Sequence, residues 1–261
     1  MIGLLSVIVD RLLNNNARRK LNWAKTFLFN FRFFPVREAI RFPVLCYGPV
    51  KIVSNGGKVI LKQKTKGTLK IGYDLAAYRN CGTTVLKFLN ESELRIEGEA
   101  IIMQGASIVL GPKSTLTLKN RCTIGDRAEI ICRRSIEIGE HSEVTWDCQV
   151  TDFASHPTKV RTTNLYQTIY RPVIIGDYCW IGNRTTIQPG TKLPDRIIVA
   201  SNSLLNKDYQ AIGIPKFSII GGIPAKLLKT GIERNYEKDY NIRDFFFNHP
   251  EIEIANEVDF K

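Results

Sequence analysis

The stretch "IGDYCWIGNRTTIQPGTKLPDRIIVASNSLL", residues 175–205, decides the fold. Ile175, Ile181, Ile187, Leu193, Val199 and Leu205 stand six residues apart without a slip. That step is neither the helical period of about 3.6 nor the strand period of about 2. The residue after each aliphatic is often small or a turn former: Gly176, Gly182, Pro194, Ala200, Asn206. The fourth after it is often small or suited to a strand: Cys179, Thr185, Thr191, Ser203. Gly and Asn tolerate the left-handed backbone that a tight corner needs, and the aliphatic residue fills the space between corners. A fixed hexapeptide period predicts a parallel β-helix, with three hexapeptides to a triangular coil and an aliphatic column for a core.

The pattern extends upstream. Ile96, Ile102 and Ile108 keep the step, as do Ile124, Ile130 and Ile136, with "IGDR" at 124–127. The register then shifts by two, and Ile138, Val144 and Val150 continue it. The next step falls on His156, where the repeat breaks. Residues 157–172, "PTKVRTTNLYQTIYRP", hold no six-residue column and are expected to form an extruded loop. Before residue 95, "GKVILKQK", "GTLKIG" and "TTVLKFL" read as strands of less regular early coils. The expected organisation is a helical entry segment over 1–45, the β-helix over 46–230 and a helical, amphipathic tail over 231–261. The tail is expected to cap the open end of the solenoid, which otherwise exposes strand edges.

Composition bounds the partners. The chain has 261 residues, 44% of them hydrophobic and 24% charged, so it is expected to fold around a core. Its formal net charge of +12 suits a phosphate-bearing partner, although charge alone does not choose among a nucleotide cofactor, a nucleic acid and an anionic membrane. The six cysteines form no C-x-x-C pair and no zinc-like spacing, and read as reduced, buried residues of a cytoplasmic protein. The apolar run "IGLLSVIV" is too short to span a bilayer and lacks the flanks of a signal peptide.

Taken together, "DFASHP", "RPVIIGDYCWIGNRTTIQPGTKLPDRIIVASNSLLNKD" and "IIGGIPAKLLK", in that order, resemble the hexapeptide-repeat O-acetyltransferases, especially members acting on capsular or surface polysaccharide. The resemblance implies a left-handed parallel β-helix, acetyl-CoA as donor and a sugar hydroxyl as acceptor. It also implies a homotrimer with active sites between neighbouring subunits. The chain departs from the family pattern at Ala200–Ser203, Asn206 and Ile223.

On that resemblance His156 is the expected general base. An alcohol is a poor nucleophile while protonated, and a neutral imidazole takes its proton near neutral pH. The competing reading is a surface loop histidine. Asp152, four residues earlier, either orients the imidazole, as a carboxylate partner does, or forms a turn at a corner. Trp180 stands among small and aliphatic residues and either walls the thioester and acceptor or packs against a subunit. Trp146 and Tyr170 are expected on the acceptor side. Carry-over places Gly182, Asn183 and Ser201 along the pantetheine arm, with an N–H near Gly182 for the oxyanion. It places Asn206, Lys207, Lys226 and Lys229 at the nucleotide end, where the bland reading is a solvated basic face.

Three other classes compete with this reading. A γ-type carbonic anhydrase needs three convergent histidines, and the chain has three in all, none closely spaced, so no metal is expected. A non-catalytic scaffold does not explain His156 together with the lysines, and no nucleic-acid-binding signature is present. Sugar N-acylation on the same fold stays open. Residues 1–34 mix large apolar and basic residues, and read either as a weak interfacial membrane contact or as a cap on the first coil.

Overall fold

The structure is a computed structural model describing residues 21–74 and 81–236, with Ile242, Phe245, Phe246, Asn248, His249 and Ile252 of the tail. The expected left-handed parallel β-helix is what the chain forms. Its strands build three sheets of nine, seven and five, here the first, second and third faces. Pairing is parallel throughout the coils, with each strand joined to those of the coils below and above. The coils run from β1 (Val44–Cys46), β2 (Val50–Ser54) and β3 (Lys58–Leu61) to β18 (Ile197–Val199) and β19 (Leu204–Leu205). The aliphatics at the sixth positions are buried to 1% exposure or less and form one column. The register shift falls inside β12 (Ser135–Ile138), where Ile136 and Ile138 point inward from one strand.

The corners correct one physical reason. Positive φ falls on His141, Tyr178, Arg184, Arg196 and Asn202, not on the glycines that follow the aliphatics. Those glycines answer to coil stacking instead. A Cβ at Gly182 would lie 2.6 Å from the Ser201 nitrogen and the Val199 carbonyl oxygen, and one at Gly176 would lie 2.6 Å from the Pro194 backbone. In the last coils Lys192 and Asp208 continue the third face as single parallel bridges.

The lower end is closed by the helix Trp23–Phe33, followed by the short helix Val36–Ala39. β1 is a terminal strand of the first face. Its edge is met by side chains: Asn30 accepts from the Val44 N–H and donates to the Val44 carbonyl, and the Thr26 hydroxyl accepts from the Cys46 N–H. The capping reading therefore holds for residues 21–34, while residues 1–20 lie outside the described part.

The upper end departs from expectation. β20 (Ser218–Gly222) pairs antiparallel with β21 (Ala225–Thr230), and this hairpin finishes the first face. The described start of the tail turns back down the outside of the coils. Ile232 donates to Phe217, Glu233 pairs with Arg196 and Arg234 pairs with Glu143 of β13 (Glu143–Val144). Of the expected tail helix, Ile242, Phe245, Phe246 and Asn248 are described and helical.

Candidate active site

The solenoid is interrupted between β14 (Gln149–Thr151) on the second face and β15 (Val173–Ile175) on the third. The excursion is not an irregular loop but a two-stranded arm. Phe153 bridges Tyr170 and Lys159 bridges Tyr166, both antiparallel, and Val160 donates to the Leu165 carbonyl near the tip. His156 is exposed at a bend of the outgoing limb, and Tyr170, 40% exposed, lies on the returning one. The arm begins earlier than the predicted residue 157, at Asp152.

Asp152 is fully buried, and its carboxylate is committed to the backbone. Its Oδ1 accepts from the Arg133 N–H at 2.7 Å, and its Oδ2 from the Arg134 and Ser135 N–H groups at 2.6 Å each. Its carbonyl also accepts from the Arg171 N–H and so closes the arm's root. Of the two readings of Asp152, the corner role is what these contacts describe. The carboxylate ties the arm to the coil below and does not reach out along it. The Arg133 guanidinium lies 5.2 Å over the Phe153 ring and braces the same root. Sequence reasoning missed Arg133, because packing against a loop leaves no periodic trace.

The other expected residues fall into three groups. Asn206 and Lys207 are exposed at the second–third corner, two coils above the arm. Trp146, Gly182, Asn183 and Ser201 stack at the first–second corner, on the far side of the second face. There Arg184 donates to the Trp146 carbonyl, Asn202 to the Asn183 carbonyl, and the Ser201 hydroxyl lies 2.5 Å from Asn183 Oδ1. Trp180, Lys226 and Lys229 are exposed on the first face. Trp180, 39% exposed, carries the Arg234 guanidinium 5.4 Å above its ring, so the start of the tail lies across it. One protomer therefore does not gather these side chains around His156.

The N–H of Gly182 itself is already committed. Its N–H donates to the Val199 carbonyl at 2.9 Å, as part of the coil-to-coil ladder. The thiols are not available as nucleophiles either. All six cysteines are unpaired and buried. Burial pushes Cys132 and Cys179 up to about 12, so neither is a thiolate near neutral pH. His141 is structural, stacked on Tyr178 with centroids 4.9 Å apart. A cavity of about 250 Å³ on the first face is lined by Lys70, Glu99, Arg121 and Thr123, and holds none of the expected residues. Among the described residues no cluster of three His, Cys, Asp or Glu is placed to hold a metal. Nor is any helix among them long and apolar enough to cross a membrane.

Residues 172–207 match the family model described as the hexapeptide repeat of succinyl-transferase. The chain is 23% identical over 164 residues to the protein named as a lipopolysaccharide biosynthesis O-acetyl transferase, WbbJ, of Escherichia coli K12. That match covers 58% of this chain and 80% of the relative. A protein named for colanic acid biosynthesis acetyl transfer, WcaF, of the same organism is 25% identical over 147 residues, covering 54% of this chain and 74% of the relative. A chloramphenicol acetyltransferase of Morganella morganii is 42% identical over 55 residues, covering 21% of this chain and 24% of that relative. Among solved structures, the polysialic-acid-specific acetyltransferase NeuO superposes with a TM-score of 0.56 at 19% identity. It covers 78% of this chain and 81% of that one, and shares the fold.

Proposed function

We propose that the chain is an acyltransferase built on the hexapeptide repeat and that it moves an acetyl group from acetyl-CoA to a hydroxyl of a surface-polysaccharide sugar. His156 is the general base. The acceptor oxygen attacks the thioester carbonyl, the new C–O bond forms, and the C–S bond breaks. The hydroxyl proton passes to the His156 imidazole and from there to the departing thiolate, so no external proton source is needed. Transfer is direct within a ternary complex, in keeping with cysteines that burial keeps protonated.

The observation that carries this reading is the arm. It is the one place among the described coils between β6 (Glu93–Ile96) and β19 where the repeat lets a long segment out, and it lifts an imidazole clear of the solenoid surface. The separation of the other expected residues supports a homotrimer. The arm of one subunit would meet the first–second corner or first face of its neighbour, bringing His156 and Tyr170 to Trp146, Trp180, Gly182, Asn183 and Ser201. Asn206, Lys207, Lys226 and Lys229 would hold the cofactor's phosphates and nucleotide. Acetyl-CoA and six unpaired thiols both fit the reducing cytoplasm.

The test is thiol release from acetyl-CoA with a panel of free, nucleotide-linked and lipid-linked sugars. His156→Ala is expected to lose about 10² to 10⁴ in turnover and to keep its affinity for CoA. A variant keeping more than about a tenth of the wild-type kcat removes His156 from the mechanism. A monomer with full activity in sedimentation equilibrium removes the shared site.

A further inference from the structure

The net charge is confined to the first part of the sequence. Residues 1–70 hold fourteen Lys or Arg against two carboxylates, whereas residues 71–261 hold twenty-three of each. The whole net charge of +12 thus belongs to the first seventy residues. In the structure, residues 21–70 are the two entry helices, the first coil and the start of the second. This span carries ten basic side chains and one carboxylate, Glu38, which Lys64 already holds at 2.7 Å.

The same end exposes large apolar side chains. Trp23, Leu28, Val36 and Ile40 are between 57% and 66% exposed, and Phe27, 51% exposed, stacks on Phe31 at 4.2 Å. The opposite side of the helix Trp23–Phe33 is spent on β1, through buried Thr26, Phe29 and Asn30. Capping the edge strand accounts for that inner side and leaves the outer side unexplained. Arg32, Arg37 and Arg41 are exposed beside the apolar residues.

We propose that this end of the solenoid docks on an anionic lipid bilayer. The outer apolar side chains enter the interface, Trp23 sits at headgroup level, and the basic residues of the helices and first coil meet the lipid phosphates. Nucleic acid offers phosphate without a place for Leu28, Val36 and Ile40. A lipid surface satisfies both features at once. The arm leaves the fifth coil, four strand spacings of about 4.8 Å from the first, so end-on docking holds the arm's root about 20 Å above the first coil, with the entry helix between that coil and the surface. The inference concerns binding alone and stands whether or not His156 is the base.

The test is co-sedimentation of the full chain with phosphatidylcholine vesicles, with and without phosphatidylglycerol, at low and high salt. Binding to the anionic vesicles is expected to exceed binding to neutral ones at least tenfold, or about 1.4 kcal/mol, and to weaken with salt. Arg37→Glu with Arg41→Glu is expected to lower the anionic partition by about tenfold or more. Trp23→Ser with Leu28→Ser is expected to weaken it while leaving the salt dependence in place. Equal binding to both vesicle types, or unchanged binding of both double variants, overturns the proposal. So does tighter retention on single-stranded DNA than on anionic vesicles at the same salt, lost in the arginine variant and kept in the apolar one.

Discussion

Two corners bound the second face of the solenoid, and they close by different means. At the first–second corner the chain turns through Gly182, whose missing Cβ lets the Ser201 and Val199 backbones approach to 2.6 Å of where it would stand. At the second–third corner of the fifth coil the chain leaves for twenty residues and returns, so no backbone of that coil covers the corner below. A side chain replaces it. The buried Asp152 carboxylate takes the N–H groups of Arg133, Arg134 and Ser135. A solenoid can therefore let an arm out without loosening, provided one charged acceptor is buried at the gap and fully hydrogen-bonded.

The largest effect that would break this comparison is at Asp152. Asp152→Ala leaves three part-buried donors without their acceptor, with about 1–3 kcal/mol as the ceiling for each. The expected loss in urea denaturation is on the order of 3–6 kcal/mol, with activity falling because the arm's root moves. Asp152→Asn keeps one acceptor oxygen and should fall between the two. If Asp152→Ala kept its denaturation midpoint and instead lowered kcat with an altered pH profile, the carboxylate would be serving His156 and the corner account would fail.

Gly182→Ala is the complementary change, with a smaller expected cost of about 1–3 kcal/mol. The added Cβ meets backbone atoms, which have no rotamer to move to, so the coils must part locally. A thermal midpoint equal to wild type would show that the first–second corner has slack, and that stacking does not demand glycine there.

How far the sequence carried the reading follows from the same contrast. The sixth-position aliphatics repeat because each fills the same slot in a column, so Ile175 to Leu205 announced the fold unaided. The corner glycines Gly176 and Gly182 are equally visible, but their cause is not the one the pattern suggests. The pattern marks small residues without saying whether a torsion or a neighbour forbids the Cβ, and here positive φ falls two residues later on Tyr178 and Arg184. His156 was legible as the point where the column stops. The partners of Asp152 were not, since Arg133–Ser135 lie a full coil earlier and any residue supplies an N–H. Arg234 over Trp180 was hidden for the same reason, because the tail reaches back over ninety residues to pair with Glu143. The basic end was present in the counts, but its meaning needed the fold that gathers residues 21–70 at one end.

The third corner sharpens the comparison with the smallest effect. Between the third and first faces, side chains also accept from the coil below: Asn120 Oδ1 from the Glu99 N–H, Asp177 Oδ1 from the Glu140 N–H and Asp195 Oδ1 from the Asp177 N–H. The motif is the one Asp152 uses, but the Asp177 and Asp195 carboxylates are open to water. Asp195 is 39% exposed and pairs with Lys216 at 2.7 Å. The Lys216 ammonium, and then the Asp177 N–H, hold its carboxyl below the usual carboxylate range. Its folded pKa lies below its unfolded one, so the stabilisation is complete above the unfolded value of about 4 and is lost as pH falls through the folded value. Solvent screening keeps the contribution to a few tenths of a kcal/mol. Lys216→Met should therefore slightly lower the urea midpoint near neutral pH and lose that difference as pH falls below about 4. Salt should shrink it further, since the pair is exposed. A Lys216→Met deficit that grew on acidification would reverse the sign required here and show that Asp195 is stabilised in its protonated form.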